Sequence, residues 1–283
     1  MEKHHPNFRI ALCIACHKST PVFTYLIDKL QHPNIDLYVH IDGKVDIEPF
    51  SDLMSSGKAV FIAERHKIRW GRFSQIKYML SLFAATRQRK VEYIALISGD
   101  SLPLYSAEEI IDRIASTADV ESLPYEPAYP QHKLQRRLRR YRPWYRKLGE
   151  IFADMLHIKS YKIERLGYGS NWIGFTPQFR DWVFEYLEKN PQYAEAFHGS
   201  RCGDELFFQT LAIMSPFAER ITRNPSFMYA DWRNGGCHPK MLDESDFTEL
   251  LSLRKERAHL LFARKFSDTT DIKIHERLFL SNK

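Results

Sequence analysis

Residues Ile10-Ala11-Leu12-Cys13-Ile14-Ala15-Cys16 carry no charged or amide side chain, and an apolar run of this length bounded by turn residues fits a strand covered on both faces. His17-Lys18-Ser19-Thr20-Pro21 closes it as a polar turn, and a helical pattern follows through Leu26, Ile27 and Leu30. Further strands are expected at Ile35 to Ile41, Ala59 to Ala63 and Tyr93 to Ser98, with a helix from Ser74 to Ala85. Strands alternating with helices predict an α/β fold with a mostly parallel central sheet flanked by helices, and ligands at the carboxyl ends of its strands. With 283 residues, 44% of them hydrophobic, the chain buries a full core as one large domain or two tightly joined ones.

The expected strand ends carry the first candidate residues. One strand finishes in His40-Ile41-Asp42-Gly43-Lys44 and another in Ser98-Gly99-Asp100-Ser101-Leu102-Pro103-Leu104. An Asp just past a strand end accepts hydrogen bonds from a ribose or a uracil edge, or caps the following turn. Two of them at successive strand ends of one sheet favour a nucleotide site. No Gly-x-Gly-x-x-Gly and no Walker loop occurs, which disfavours a dinucleotide-binding dehydrogenase or a P-loop enzyme. There is no Asp-x-Asp metal pair either, since Asp100 is followed by Ser101 and Leu102. The Cys13-Ile14-Ala15-Cys16-His17 string matches a haem-attachment pattern, but it lies in an apolar strand-like run rather than an exposed, exported segment.

Four features mark the rest of the chain. Around residue 200, Gly203 and Asp204 read as a helix start, and Leu206, Phe207, Thr210, Leu211 and Met214 give the helix a buried face. Glu205 then falls in the first turn, where the helix dipole favours a charged carboxylate ready to accept a proton; the alternative is that Asp204 caps the helix and Glu205 only complements its dipole. Ser170, Asn171 and Trp172 lie in a strand-like segment, Gly169 to Thr176, ahead of a helix from Pro177, and join a hydroxyl, an amide and an indole suited to holding a sugar. Trp232 and Lys240 sit in a Gly- and Pro-containing loop from Tyr229 to Lys240. Asp246-Phe247-Thr248-Glu249 reads as a capping start for an amphipathic helix reaching Leu261 and Phe262, which runs into Arg264 and Lys265. Two adjacent cations between apolar residues can neutralise the charge on a leaving nucleoside diphosphate.

Before these lies a basic, aromatic stretch, residues 132–147, that includes Lys133, Arg136, Arg137, Arg139 and Arg140. Cations interleaved with aromatics bind phosphates and stack on bases or sugars; they also serve as a solvated helical face whose stems cover apolar surface. The net charge of +6 fits an anionic partner. No apolar run reaches the roughly 18 to 20 residues of a membrane-spanning helix, no secretory segment opens the sequence, and four cysteines are too few for a disulfide framework. These features predict a cytoplasmic protein.

Taken in order, His40-Ile41-Asp42-Gly43-Lys44, Trp70-Gly71, Ser98 to Leu104, Gly169-Ser170-Asn171-Trp172, Asp204-Glu205 and Phe262-Ala263-Arg264-Lys265-Phe266 resemble glycosyltransferase family 14. That family holds the core-2/I-branching β-1,6-N-acetylglucosaminyltransferases and the peptide O-xylosyltransferases. The resemblance spans roughly residues 8 to 270 and implies a single domain over 1–283 of GT-A type, with a nucleotide-binding half at 8–120 and an acceptor and catalytic half at 121–283. It implies an inverting enzyme that takes a UDP-sugar as donor and needs no metal or other cofactor. Glu205 matches the catalytic base, and Arg264 and Lys265 match the diphosphate-binding pair, with Lys240 as a further phosphate contact. His17, Asp42, Trp70, Gly71, Ser98 and Asp100 fall at the nucleotide. Ser170, Asn171, Trp172, Asp204, Trp232, Glu126, Lys133 and Arg136 fall at the sugar or acceptor. Asn171 stands where the xylosyltransferase-like members carry an acid. The form without a membrane anchor resembles a bacterial member working on a surface polysaccharide or lipopolysaccharide precursor at the cytoplasmic face of the membrane, with no nucleic acid as partner.

The competing expectation is a non-catalytic protein that grips nucleic acid or an anionic membrane through residues 132–147. It predicts salt-dependent binding that is indifferent to Glu205. A glycoside hydrolase would need two carboxyl groups about 5 to 9.5 Å apart across a cleft, which adjacent residues at one turn do not obviously supply.

Overall fold

The computed structural model describes residues 7–117, 121, 123–140, 163–221, 226–235, 238–268 and 276. Residues 141–147 of the basic stretch, with Gly236 and Cys237 of the loop, lie outside the described residues. In chain order the first half forms β1 (Ile10–Cys16), α1 (Pro21–Lys29), β2 (Ile35–Ile41), α2 (Ser51–Ser55), β3 (Val60–Phe61), α3 (Ser74–Ala85), β4 (Tyr93–Ser98), β5 (Ser101–Pro103) and α4 (Ala107–Ala115). The second half adds α5 (Gln131–Leu138), β6 (Gly174–Phe175), α6 (Pro177–Lys189), α7 (Pro191–Ala196), α8 (Phe207–Met214), β7 (Met228–Ala230), α9 (Phe247–Glu256) and β8 (Phe262–Arg264).

The main sheet has the order β3-β2-β1-β4-β6, parallel except for β6. Its central strands are buried on both faces, which is why they read as near-continuous apolar runs. The period of two still sorts their side chains. Ile10, Leu12, Ile14 and Cys16 join a core with Phe23 and Leu26 of α1 and Ile110 and Ile111 of α4. Ala11 and Cys13 face the opposite core, formed with Met79 and Leu82 of α3, Phe179 of α6 and Phe208 of α8. Three helix starts follow simple capping chemistry. The Thr20 and Thr176 hydroxyls accept from Phe23 N and Phe179 N, and Ser106 and Glu109 form a capping box at α4.

A second sheet of three short strands, β5-β8-β7, lies beside the first. In it β8 pairs antiparallel with β5 and parallel with β7, placing Arg264 opposite both Ser101 and Ala230. This corrects the helix expected to reach Phe262. That helix ends at Glu256, where Arg257 N donates to Leu253 O. Leu261 N and Phe262 N then donate to Phe227 O. Leu260 to Ala263 are buried without a polar face, so a strand between two partners satisfies them better than a helix with one apolar stripe. Its capping box uses Asp243 and Asp246 around a 3-10 turn, not Asp246 and Glu249.

Two smaller corrections concern strands. The third strand is limited to Val60–Phe61. Within the segment from Gly169 to Thr176, only Gly174–Phe175 pairs as strand, while Ser170, Asn171 and Trp172 lie in loop.

Candidate active site

The register of the main sheet sets Cys16 beside Ile41 and Ala15 beside Ser98, so β1, β2 and β4 end together. A cleft of about 1000 Å³ opens over these ends, walled on the far side by β7, β8 and the turn at residues 202–205. Ala15, His17, Asp42, Ser98 and Asp100 contribute from the main sheet side. This is the place where an open α/β sheet offers its strand ends to a ligand.

Asp42 is buried at the β2 end, where Oδ1 accepts from Lys44 N at 3.0 Å and Ile68 N at 3.1 Å. It therefore fixes the two loops that border the cleft. Asp100, whose place at a strand end predicts a ribose or uracil acceptor or a turn cap, is engaged by cations. Its Oδ1 and Oδ2 accept from Arg264 Nε and Nη2 at 3.1 and 3.2 Å, and Lys265 Nζ lies 3.7 Å from Oδ2. Burial works to raise the Asp100 carboxyl, but Arg264, Ser98 and Lys265 together hold it below its ordinary value. The Arg264 guanidinium also lies over the Trp172 ring, 4.7 Å from its centroid. Burial pushes the His17 imidazole below its ordinary value, with Lys265 among the neighbouring cations that add to the shift.

Glu205 belongs to a 3-10 turn, Gly203–Glu205, that precedes α8 instead of forming its first turn. Cys202 enters this turn in the left-handed region at φ 49°, a conformation uncommon for a residue with a Cβ. Its N–H donates to Gly71 O at 2.9 Å. Leu206, Phe207, Phe208 and Leu211 are buried just after, each removing about 1.5–3 kcal/mol of apolar side chain from water, and they anchor the turn from below. Glu205 remains about one-third exposed, and its Oε2 accepts from Arg137 Nη2 at 2.5 Å. The same guanidinium donates to Cys202 O at 3.1 Å. Glu205 is thus paired with an arginine from α5, where the sequence predicts a helix dipole.

Asp204 is not at a cap position: among the described residues Cys202 and Leu206 hold the N-cap places of the turn and of α8. Asp204 is buried, and its Oδ2 accepts from Gln75 Nε2 at 3.1 Å and Asn171 Nδ2 at 2.9 Å. Burial first, and then the adjacent Glu205, push its carboxyl up to about 7. Gly71, expected at the nucleotide, is outside the cleft wall. At φ 67° it closes the turn whose N–H donates to Gln75 Oε1 and whose carbonyl receives Cys202, which links the Trp70 loop to the Glu205 turn.

The remaining candidates divide. Ser170, Asn171, Trp172, Glu126, Trp70 and Trp232 all reach the cleft, the two outer tryptophans at its rim with 58% and 54% exposure. Lys240 does not: its Nζ is paired with Asp246 at 2.5 Å, away from the wall. Lys133 and Arg136 are exposed on α5 and line no part of the cleft. On that helix Leu134 and Leu138 face the core, so its described cations form a solvated face, with Arg137 the exception. Sequence reasoning missed Gln75 and Tyr168, which carry no motif, and did not separate Arg137 from its four basic neighbours. Its position beside Leu134 and Leu138 on the inward side of the helix was the available signal. Among the described residues, no group of three or more His, Cys, Asp or Glu side chains is placed to hold a metal ion, and no helix is long and apolar enough to cross a membrane.

A family model described as Core-2/I-Branching enzyme matches residues 10–252. No curated protein matches the chain. Among solved structures, the glycosyltransferase GlyE of Streptococcus pneumoniae TIGR4 is similar at 9% identity and a TM-score of 0.37, over 98% of this chain and 64% of that one. Its apo form gives 6% identity and a TM-score of 0.34 over the same shares. The chain spans less than two thirds of the length of these structures.

Proposed function

We propose that this chain, which belongs to the core-2/I-branching enzyme family, is an inverting glycosyltransferase moving a sugar from a UDP-sugar to a hydroxyl of a glycan acceptor. The observation that carries this reading is that one cleft is lined both by a partly exposed carboxylate, Glu205, and by a fixed cation pair, Arg264 and Lys265. In the proposed reaction Glu205 takes the proton of the acceptor hydroxyl as that oxygen attacks the anomeric carbon. The bond from that carbon to the β-phosphate oxygen breaks on the opposite face, and UDP leaves with its new charge met by Arg264 and Lys265. The cations supply the neutralisation, so the reading includes independence of a metal. N-acetylglucosamine is the first sugar to test, with xylose next, and bacterial surface polysaccharide or lipopolysaccharide precursors are the first acceptors.

The test is single-turnover and steady-state transfer from a panel of UDP-sugars, in EDTA, by wild type and Glu205→Gln. The variant is expected to lose about 10²- to 10⁴-fold in kcat, the usual contribution of a general base, with UDP affinity unchanged. Equal rates in the two proteins would remove Glu205 from the chemistry.

A further inference from the structure

The contacts of Trp172, an aromatic ring that lines the cleft, differ from those of a sugar platform. Trp172 lies between the two cores, packed against both, and the Arg264 guanidinium stacks on it at 4.7 Å from the ring centroid. Asp100 takes one edge of that guanidinium through Nε and Nη2. A planar guanidinium with an edge and a face both fixed has one orientation left. Its other N–H groups then point where an anion can receive them without a further entropy cost. Lys265, the next residue, is drawn to the same carboxylate at 3.7 Å. Asp100 thus keeps two adjacent cations together.

We propose that Trp172 is a positioning residue for the donor diphosphate: it acts through Arg264, holding that side chain flat for the terminal phosphate, and does not serve as a stacking surface for the sugar. This rests on the reading of Arg264 and Lys265 as the diphosphate site. One face of the indole carries Arg264, and the side chain is partly buried against both cores. Trp70 and Trp232 are far more exposed, at the rim. The inference also names a specificity: a ligand with a terminal phosphate beyond the first gains from an oriented Arg264, whereas a nucleoside monophosphate does not.

The experiment compares equilibrium binding of UDP and UMP to wild type, Trp172→Phe and Trp172→Leu, with melting temperature recorded for each. Indole is the strongest of the aromatic partners for a cation, and the interaction is worth enough to change affinity by about 5- to 30-fold when partly desolvated. The preference of wild type for UDP over UMP is therefore expected to shrink by about 5- to 30-fold in Trp172→Leu and by less in Trp172→Phe, while UMP affinity stays the same. If UDP and UMP lose affinity together, or if the preference is unchanged in a folded Trp172→Phe and Trp172→Leu pair, the positioning role is wrong. If wild type itself shows no preference for UDP, the diphosphate reading of the cation pair fails first and the role of Trp172 falls with it.

Discussion

Replacing Asp204 by Asn removes a carboxyl that the fold buries beside Glu205 while keeping its shape. The side-chain oxygen of Asn can still accept from Gln75 and Asn171, which now hold Asp204 Oδ2, and its amide takes the place of Oδ1, which has no hydrogen-bond partner among the described residues. The carboxyl stands at about 7 in the folded protein against 3.8 ordinarily. Below pH 4 both folded and unfolded chains are protonated at this position. As pH rises from 4 to 7, the unfolded chain releases its proton and the folded one keeps it, so wild type loses stability until the folded carboxyl ionises as well. The ceiling on that loss is about 4 kcal/mol, and relaxation around the ionised group reduces it to an expected 1–3 kcal/mol, on the order of other buried charges. Asp204→Asn has no proton to release. About two thirds of that loss falls above pH 5, so urea denaturation of both proteins at pH 5 and pH 8 should show the variant gaining about 0.6–2 kcal/mol on wild type between the two values. A difference that is the same at both pH values, or one that moves in favour of wild type at pH 8, would refute the argument that Asp204 is held protonated by burial.

Other consequences follow from single contacts. Arg137→Gln removes the donor that joins α5 to the Glu205 carboxylate and to Cys202 O; a partly exposed charge-assisted bond of this kind is worth about 1–2 kcal/mol, to be read in chemical denaturation. Arg136→Gln, on the exposed side of the same helix, should stay within about 0.5 kcal/mol. At Gly169 a Cβ would sit 1.6 Å from Pro124 O, and Gly169 N donates to Glu205 O at 3.1 Å. Gly169→Ala must push these backbones apart, so we expect a loss of about 1–3 kcal/mol in stability and a fall in kcat as the Glu205 turn moves; an unperturbed melting temperature would contradict the close approach.

The parts of the fold that were legible in the sequence are those set by local burial. Strands β1, β2 and β4 and helix α3 begin and end where apolar runs and helical spacing place them, because strands covered on both faces and a helix with one covered face leave different patterns. The second sheet was not legible. Its strands are three residues long, and β8 is defined by partners such as Ser101, paired with Arg264 far along the chain, so the local pattern of Leu260 to Phe266 carried no sign of which element it would join. The same limit applies to the cleft. The residue types of Glu205, Arg264, Lys265 and Asp42 pointed to their chemistry, and the fold brings all four to one cavity. The partnership of Asp100 with Arg264, the burial of Asp204 and the choice of Arg137 out of a run of arginines depend on tertiary neighbours, and no short-range pattern records them. Lys240 is the converse: a cation in a loop of the right composition that the fold spends on Asp246.

The central claim is that Arg264 and Lys265 form a metal-free diphosphate site in the cleft that Glu205 also lines. Its most direct test is calorimetric or thermal-shift binding of UDP, in EDTA, to wild type, Lys265→Ala and Glu205→Gln. The account predicts that UDP stabilises wild type and Glu205→Gln alike and stabilises Lys265→Ala much less. Absence of any response to UDP in wild type, or equal binding by Lys265→Ala, would contradict it.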